Sequence, residues 1–130
     1  MGALAITTLA GSRLILAAPH WPLLVDILPF LRGFTLFFWA AGAWWIPLLV
    51  IAGVWRHGVE RVPLTYHPQY WSLVFPLGMF TAATFQLSRA TGVEFLAAIP
   101  RAFIWVALFA WLLTFVGLTR SVAQNLRRSL

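Results

Sequence analysis

Three long stretches of this chain of 130 residues carry no charged side chain. Residues 33–55 are uncharged over 23 positions, residues 62–88 over 27, and residues 102–119 over 18. Because an α-helix needs about 20 apolar residues to cross roughly 30 Å of hydrocarbon, the first two stretches can each hold a membrane span, and the third comes close. Residues 1–18 are apolar apart from Arg13 and predict a fourth, truncated span.

The overall composition supports the same class of protein. Only 9% of the residues are charged, 62% are hydrophobic, and the mean hydropathy is +0.87. Since roughly a quarter or more of a soluble domain's surface is charged, a soluble enzyme is excluded. We therefore predict an all-α membrane protein in which residues 1–130 form a single membrane domain of four transmembrane helices, arranged as two helical hairpins. The predicted spans are residues 1–18, 33–56, 70–90 and 100–119.

The positive charges indicate orientation rather than nucleic-acid binding. The net charge is +6, but the arginines occur between long apolar runs and form no basic stripe with interleaved aromatic residues. The loop 56–61 and the tail 120–128 hold five arginines, against three near the opposite ends, at Arg32, Arg89 and Arg101. The positive-inside rule therefore predicts a multi-pass protein with both termini in the cytoplasm.

The residue types that carry catalysis are few and scattered. The chain has no cysteine, so thiol chemistry and zinc–cysteine sites are excluded. Its carboxylates and histidines fall in connectors or at span ends, so no acid–base pair is formed, and a two-histidine haem site inside a four-helix bundle is disfavoured. We predict no enzyme, no metal and no organic cofactor. The residues concerned are Asp26, Glu60, Glu94, His20, His57 and His67.

The third predicted span, WSLVFPLGMFTAATFQLSRA, has an unusual polar stripe. At 100° per residue, one narrow face carries a bulky ring, small residues, an amide and a cation. Two interpretations remain open: a pore-lining helix with an apolar constriction and an electropositive mouth, or a packing helix whose arginine extends to the headgroups. Pro76 predicts a kink beside the ring. The stripe consists of Phe75, Met79, Ala82, Gln86 and Arg89, with Gly78 at its edge.

The remaining spans differ in character. In the first, Ala3, Thr7 and Gly11 repeat every four residues, a small-residue ridge that allows close helix packing. Arg13 interrupts this span, and we assign it with Arg89 as a candidate anion contact at the mouth. The second and fourth spans are rich in Phe, Trp and Leu on all sides, which is typical of lipid-facing helices. Inner and outer helices are thus predicted to alternate.

Three segments carry a family resemblance. YHPQYWSLVFPLGMFTAATFQL, MGALAITTLAG and FIWVALFAWLLTFVGL closely resemble the C-terminal part of the tellurite-resistance/dicarboxylate transporter family, which includes plant slow anion channels, malate permeases and sulfite efflux pumps. The resemblance implies a fold of ten helices, in five hairpins around a central pore, of which this chain supplies helices seven to ten. Phe75 then matches the phenylalanine that plugs the pore, and Gly78, Met79, Ala82 and Gln86 line it.

The resemblance also implies partners and a location. The substrate would be a small anion such as a C4-dicarboxylate, tellurite, sulfite or a halide, and the protein would form a trimer in the bacterial inner membrane. Two features depart from the family: His67 stands where bacterial relatives often have Asp, and the first six helices are missing. We therefore expect the C-terminal fragment of a larger transporter. The alternative is a small membrane protein that does not transport and acts in interaction or assembly.

Overall fold

The computed structural model describes residues 1–61 and 66–128. This part of the chain is helical and contains no strand, which confirms the predicted all-α membrane class. Short helical turns at Ala18–His20, Trp55–Val59 and Pro68–Tyr70 join the main elements. The α-helices are α1 (Gly2–Ala17), α2 (Pro22–Asp26), α3 (Leu28–Val54), α4 (Trp71–Thr91) and α5 (Glu94–Arg128).

Two helices begin before the first residue of the membrane span predicted for them. Helix α3 starts at Leu28 rather than near residue 33, because Pro29 lies in the first turn, where a missing N–H breaks no hydrogen bond. Helix α5 starts at Glu94 rather than at residue 100 and continues through Pro100. Proline is tolerated inside membrane helices because neighbouring groups satisfy the carbonyl that it leaves free. The positions of Pro29 and Pro100 therefore do not give the first residue of either helix.

Within the described residues, three helices are long and apolar enough to cross a membrane: Gly2–His20, Leu28–Val59 and Glu94–Arg127. Helix α4 is not among them, although its 21 residues would extend over about 31 Å at 1.5 Å per residue. Its hydroxyl residues, Gln86 and Arg89 reduce its apolar character. That α4 forms a fourth span remains a prediction.

The long helices pack in the spatial order α3, α1, α4, α5. Helix α1 contacts both α3 and α4, while α4 also packs along α5. A tight hairpin connects α4 to α5, because Gly92 adopts the left-handed conformation (φ 71°) and its N–H donates to the carbonyl of Ser88. Helices α1 and α4 are therefore central in this chain, whereas α3 and α5 are peripheral.

Phe80 lies in the core of the bundle. It is buried with Ala5 and Ala83, and its ring stacks on Trp39 of α3 at a centroid distance of 6.3 Å. The ring of Phe103 on α5 lies 5.7 Å away. One aromatic side chain of α4 thus packs with all three neighbouring long helices.

Polar side chains contribute to two of the contacts between helices. The Trp39 indole N–H donates to Oγ1 of Thr84 at 3.0 Å, and that hydroxyl donates to the carbonyl of Phe80 at 2.7 Å. At the contact between α1 and α3, a Cβ on Gly11 would collide with the Thr35 hydroxyl. Of the predicted small-residue ridge, Gly11 makes this close approach, while Ala3 is exposed. These contacts fix α1 and α4 against α3.

Candidate functional site on the open face of the central helix

Helix α4 has a packed side and an open side. The packed side is directed toward α1, α3 and α5, and three hydroxyl residues lie on it. Such hydroxyls bond to a carbonyl about one turn back, so they do not need water. The buried residues are Val74, Phe80, Thr81, Ala83, Thr84, Leu87, Ser88 and Ala90. Among the described residues, the open side is therefore the part of α4 that the other helices leave uncovered.

The stripe predicted from the sequence lies on this open side. Phe75 is 60% exposed, and Gly78, Ala82 and Arg89 are exposed as well. A Cβ added to Gly78 would meet no atom within 4 Å. The two other members of the stripe, Met79 and Gln86, are half-buried at its edge. The structure thus brings the six predicted residues of α4 onto one continuous face.

One residue of this face is absent from the sequence prediction. Phe85 is 51% exposed and follows Ala82 by three residues. At 100° per residue it projects about 80° from Phe75, outside the narrow arc that the prediction used. Phe85 lies four residues before Arg89 and so shares a helix face with it, and a wider arc drawn around the helix would have included Phe85. The open face therefore carries two phenylalanine rings.

Arg13 lies at the same end of the bundle as Arg89. Helices α1 and α4 run parallel: a Cβ on Gly2 would lie 3.7 Å from Pro76 Cγ at one end, and Ile15 shares a buried cluster with Ala90 at the other. Arg13 is therefore level with residues 87 and 88. The structure therefore places the two arginines that the sequence assigned to the mouth at the same end of the bundle.

In the part of the chain that the structure describes, neither arginine is paired with a carboxylate. Both Arg13 and Arg89 are exposed and form no salt bridge with a described residue, although Asp26 and Glu94 are near the same end. Arg32 on α3 is also at this level, because the preceding Leu31 belongs to the Ile15 cluster. This end of the bundle therefore has a positive excess that can attract an anion.

Gln86 has an unpaired atom. Its Oε1 is buried and has no hydrogen-bond partner within the part of the chain that the structure describes. The side chain as a whole is only half-buried, so Gln86 lies at the boundary between the packed and open sides. Buried polar atoms are nearly always paired, and an exception needs an explanation.

A cleft of about 390 Å³ lies between α4 and α5, next to Phe75. Its walls are mostly apolar, and Gly78 on α4 and Ala107 on α5 leave room between two tryptophans. The full lining is Trp71, Val74, Phe75, Gly78, Met79, Ala107 and Trp111. A ring at Phe75 thus has adjacent space into which it can turn.

The histidines do not converge. His20 and His57 lie in the turns after α1 and α3, and His67 precedes α4. In the described residues, no three side chains of His, Cys, Asp or Glu lie close enough together to hold a metal ion.

Comparison with known proteins agrees with the resemblance found in the sequence. A sequence model described as the voltage-dependent anion channel family matches residues 1–119. An uncharacterized membrane protein of Mycobacterium tuberculosis is 40% identical over 129 residues, which are 99% of this chain and 65% of that protein. This chain therefore spans just under two thirds of the length of that relative.

Two archaeal relatives carry the word transporter in their names. Both are uncharacterized transporters of Methanocaldococcus jannaschii, one 29% identical over 83 residues and the other 26% identical over 89 residues. The matched regions cover 24% and 25% of those proteins and 64% and 68% of this chain. No solved structure matches the chain significantly. The membrane-protein relatives and the apolar helices together identify an integral membrane protein.

Proposed function

This chain belongs to the voltage-dependent anion channel family, and from that premise we propose that it forms part of a membrane pathway for small anions. The observation that carries the proposal is the open face of α4, where Arg89 and Gln86 are aligned with Phe75. Polar groups that face lipid are costly and therefore tend to face a bundle interior or a water-filled path. This face is accordingly the pathway side of α4.

Each residue of the face has a proposed role. Arg13 and Arg89 attract the anion at the mouth through long-range electrostatics. Beyond them, Gln86, Ala82, Met79 and Gly78 line a narrowing path, and Phe75 closes it by bulk and by dewetting of an apolar neck. The anion is a C4-dicarboxylate, tellurite, sulfite or a halide. The named residues are those of the predicted stripe together with Arg13.

Opening requires that the Phe75 ring leave the path. The cleft between α4 and α5 borders this ring and has a volume of about 390 Å³, more than one aromatic ring occupies. We propose that the ring turns into this cleft, between Trp71 and Trp111, when the pathway opens. The gate then needs a rotamer change rather than a helix movement.

A closed pore needs more helices than this chain supplies. By resemblance the family encloses its pore with five inner helices, and α1 and α4 provide two of them. We propose that this chain is the C-terminal part of a larger transporter, or that further copies complete the ring, within a trimer in the bacterial inner membrane. With both termini cytoplasmic, the mouth at Arg13 and Arg89 opens on the outer side.

Flux measurements on the complete gene product test this function. The protein, including any coding sequence in frame before Met1, is reconstituted into liposomes, and chloride, succinate and sulfite flux are measured. We expect flux of at least one anion above that of empty liposomes. Arg89→Gln should reduce this flux, most strongly at low salt, because ions screen the mouth charge. Arg32→Gln, at the same level on a peripheral helix, is the matched control.

The absence of flux for every anion tested would reject the proposal. It would favour the alternative of a membrane protein that acts in interaction or assembly. A flux that Arg89→Gln and Arg32→Gln reduce equally would retain transport but remove the specific role of the α4 face.

A further inference from the structure

A second recess between α4 and α5 lies apart from the proposed pathway. Its volume is about 440 Å³, and it shares only Val74 with the cleft beside Phe75. We call it the Tyr66 groove, because the ring of Tyr66 closes one side of it: a Cβ on Gly117 would lie 2.9 Å from Tyr66 Cδ2. Pockets for small ligands measure roughly 300–1,000 Å³, so the groove is large enough to hold one. Its helical walls include Leu73, Val74 and Leu77 of α4 and Ala110, Leu113 and Gly117 of α5.

The walls of the Tyr66 groove offer mostly carbon to a ligand. The hydroxyl of Thr114, which also lines the groove, donates to the carbonyl of Ala110 at 2.8 Å. The hydroxyl of Tyr66 accepts from the indole N–H of Trp71 at 3.3 Å. Because these hydroxyls already have partners within the chain, the groove is suited to an apolar group.

The Tyr66 groove is open outward. Leu73 on one wall is 44% exposed, and Leu113 on the other wall is 59% exposed. Helix α5, which carries Leu113, is among the helices that are long and apolar enough to cross a membrane. In a bilayer the groove is filled by a neighbouring molecule, because empty space would deprive its walls of their van der Waals contacts.

The width of the groove favours a hydrocarbon chain over another helix. Residues 110–117 of α5 extend over about 10 Å at 1.5 Å per residue, and the groove volume spread over that length gives a mean cross-section of about 40 Å². A helix about 10 Å across has a cross-section of roughly 80 Å². A further helix therefore does not fit inside the groove, whereas an extended acyl chain does.

Beyond the groove, the same face of α5 becomes polar. The lining residues of α5 recur every three or four positions up to Gly117, and the next positions on that face are Arg120, Ser121 and Gln124. Arg120 is exposed and lies about 4.5 Å further along the helix axis than Gly117. The apolar groove therefore ends at an exposed guanidinium.

The charge at this end of the bundle favours an anion beside Arg120. The described part of this end holds Arg56, Arg61, Arg120 and Arg127 against the carboxylate of Glu60. Arg120 forms no salt bridge with a residue that the structure describes. A guanidinium pairs with two phosphate oxygens at once, and each arginine near a membrane surface adds to the attraction for anionic lipid. The charge is thus complementary to an anionic headgroup.

We propose that the Tyr66 groove binds one acyl chain of an anionic phospholipid, whose phosphate pairs with Arg120. Such a lipid supplies both a hydrocarbon chain for the apolar walls and a negative charge at the end of the groove. A small soluble anion would use only the arginine, and a zwitterionic lipid offers it no net charge. The inference goes beyond the proposed pathway, since the groove contains none of the residues assigned to that pathway.

Photolabelling with two lipids that differ only in the headgroup tests the site. The complete gene product is reconstituted into phosphatidylcholine vesicles that contain a small fraction of phosphatidylglycerol or phosphatidylcholine with the same diazirine-bearing acyl chain. After illumination, the label on residues 70–77 and 110–117 is measured by mass spectrometry and divided by the label on the rest of the protein. We expect this ratio to be about fivefold higher with phosphatidylglycerol, as one arginine near the membrane surface allows.

Substitutions on α5 separate the acyl chain from the headgroup. Ala110→Trp fills the groove, so it should remove the groove label of both lipids, whereas Ala102→Trp, at an exposed position of α5 outside the groove, should not. Arg120→Gln should make the two lipids label the groove equally. Arg101→Gln, exposed at the opposite end of α5, should keep the preference for phosphatidylglycerol. Unchanged labelling of the other helices and an unchanged elution volume in size-exclusion chromatography report that each variant is folded.

A groove that neither lipid labels above the rest of the protein would overturn the site and mean that another part of the complete protein covers it. Equal labelling of the groove by the two lipids in the unmodified protein would overturn the selection of an anionic headgroup. A preference that survives Arg120→Gln would overturn the pairing with Arg120. Because no flux is measured, these outcomes are independent of the transport proposal.

Discussion

Two phenylalanines of α4 show how one residue type takes different roles on opposite faces. Phe75 and Phe80 are five residues apart, which at 100° per residue places them about 140° apart around the helix. Phe80 is 2% exposed and packs with Trp39 and Phe103, whereas Phe75 is 60% exposed. The two rings therefore allow a direct comparison of core packing with proposed gating.

We predict that Phe75→Ala raises anion flux through the complete gene product. Removing the ring leaves a gap continuous with Gly78 and Ala82, so the apolar neck no longer closes. The expected increase is about tenfold or more, which corresponds to a barrier lower by about 1.4 kcal/mol. Flux is measured in liposomes and divided by the amount of folded protein.

Phe80→Ala is the matched control. Loss of a buried phenylalanine costs roughly 3–5 kcal/mol of stability, so this variant should lower the yield of folded protein. It should not raise flux per folded molecule. If Phe75→Ala also lowers the yield without raising flux per folded molecule, Phe75 is a packing residue and its proposed gating role is rejected.

At the scale of elements, the most buried long helix is the one that lacks a stretch apolar enough to count as a membrane span. Helix α4 has eight buried residues, including Thr81, Thr84 and Ser88, while α3 and α5 expose most of their Phe, Trp and Leu side chains. In lipid, apolar side chains lose nothing by facing outward, and hydroxyls that bond to their own backbone can pack closely against other helices. Polar content therefore indicates the interior of this bundle.

The cleft between α4 and α5 gives a prediction at this scale. Ala107→Leu adds a larger side chain to the space that the Phe75 ring would enter, so it should hold the gate closed and lower flux several-fold. Ala102→Leu, at an exposed position of the same helix, should leave flux unchanged. Flux of the complete gene product is compared for both variants at equal protein density.

The same substitution in a Phe75→Ala background separates gating from damage to the fold. Without the ring, the cleft has no role in opening, so Ala107→Leu should then have little effect. An equal loss of flux in both backgrounds would contradict the proposed ring movement.

At the scale of the whole molecule, the arginines are divided almost evenly between the two ends. The structure places Arg13 at the end that holds Arg32 and Arg89, so the excess at the opposite end is smaller than the sequence count of five against three. The proposed orientation therefore depends on a small difference.

We predict that both chain termini lie in the cytoplasm. The chain has no cysteine, so single cysteines at Gln124, near the end of α5, and at Val93, between α4 and α5, report on one side each. An impermeant thiol reagent added outside spheroplasts should label Val93→Cys and not Gln124→Cys. Labelling of both from outside would contradict an even number of spans with this orientation, and the reverse pattern would invert the molecule.

The 130-residue chain alone should not conduct. Its two central helices leave the α4 face without the remaining inner helices, so polar groups such as Gln86 and Arg89 must find other partners at a cost of a few kcal/mol each. Purified chain in liposomes should give no flux above empty liposomes. Selective and saturable flux from the pure chain would instead mean that copies of it assemble a complete pore.

The sequence by itself determined the class of the protein and the face of α4. Long charge-free stretches predict membrane helices, because a single segment in lipid can hydrogen-bond all of its own backbone N–H and C=O groups only as a helix. The stripe from Phe75 to Arg89 follows from the helical repeat alone, since residues on one helix have a fixed angular relation. Family membership likewise depended on local segments.

Only the tertiary structure decided how separate helices are aligned. Three features depend on the relative heights of helices far apart in the chain: the level of Arg13 relative to Arg89, the close approach of Gly11 to Thr35, and the cleft beside Phe75. The periodic pattern of a sequence indicates which residues share a face of one helix. It does not indicate how far that helix is shifted along its axis relative to another helix. That offset is set by the packing of specific side chains, and it places Arg13 at the same end of the bundle as Arg89.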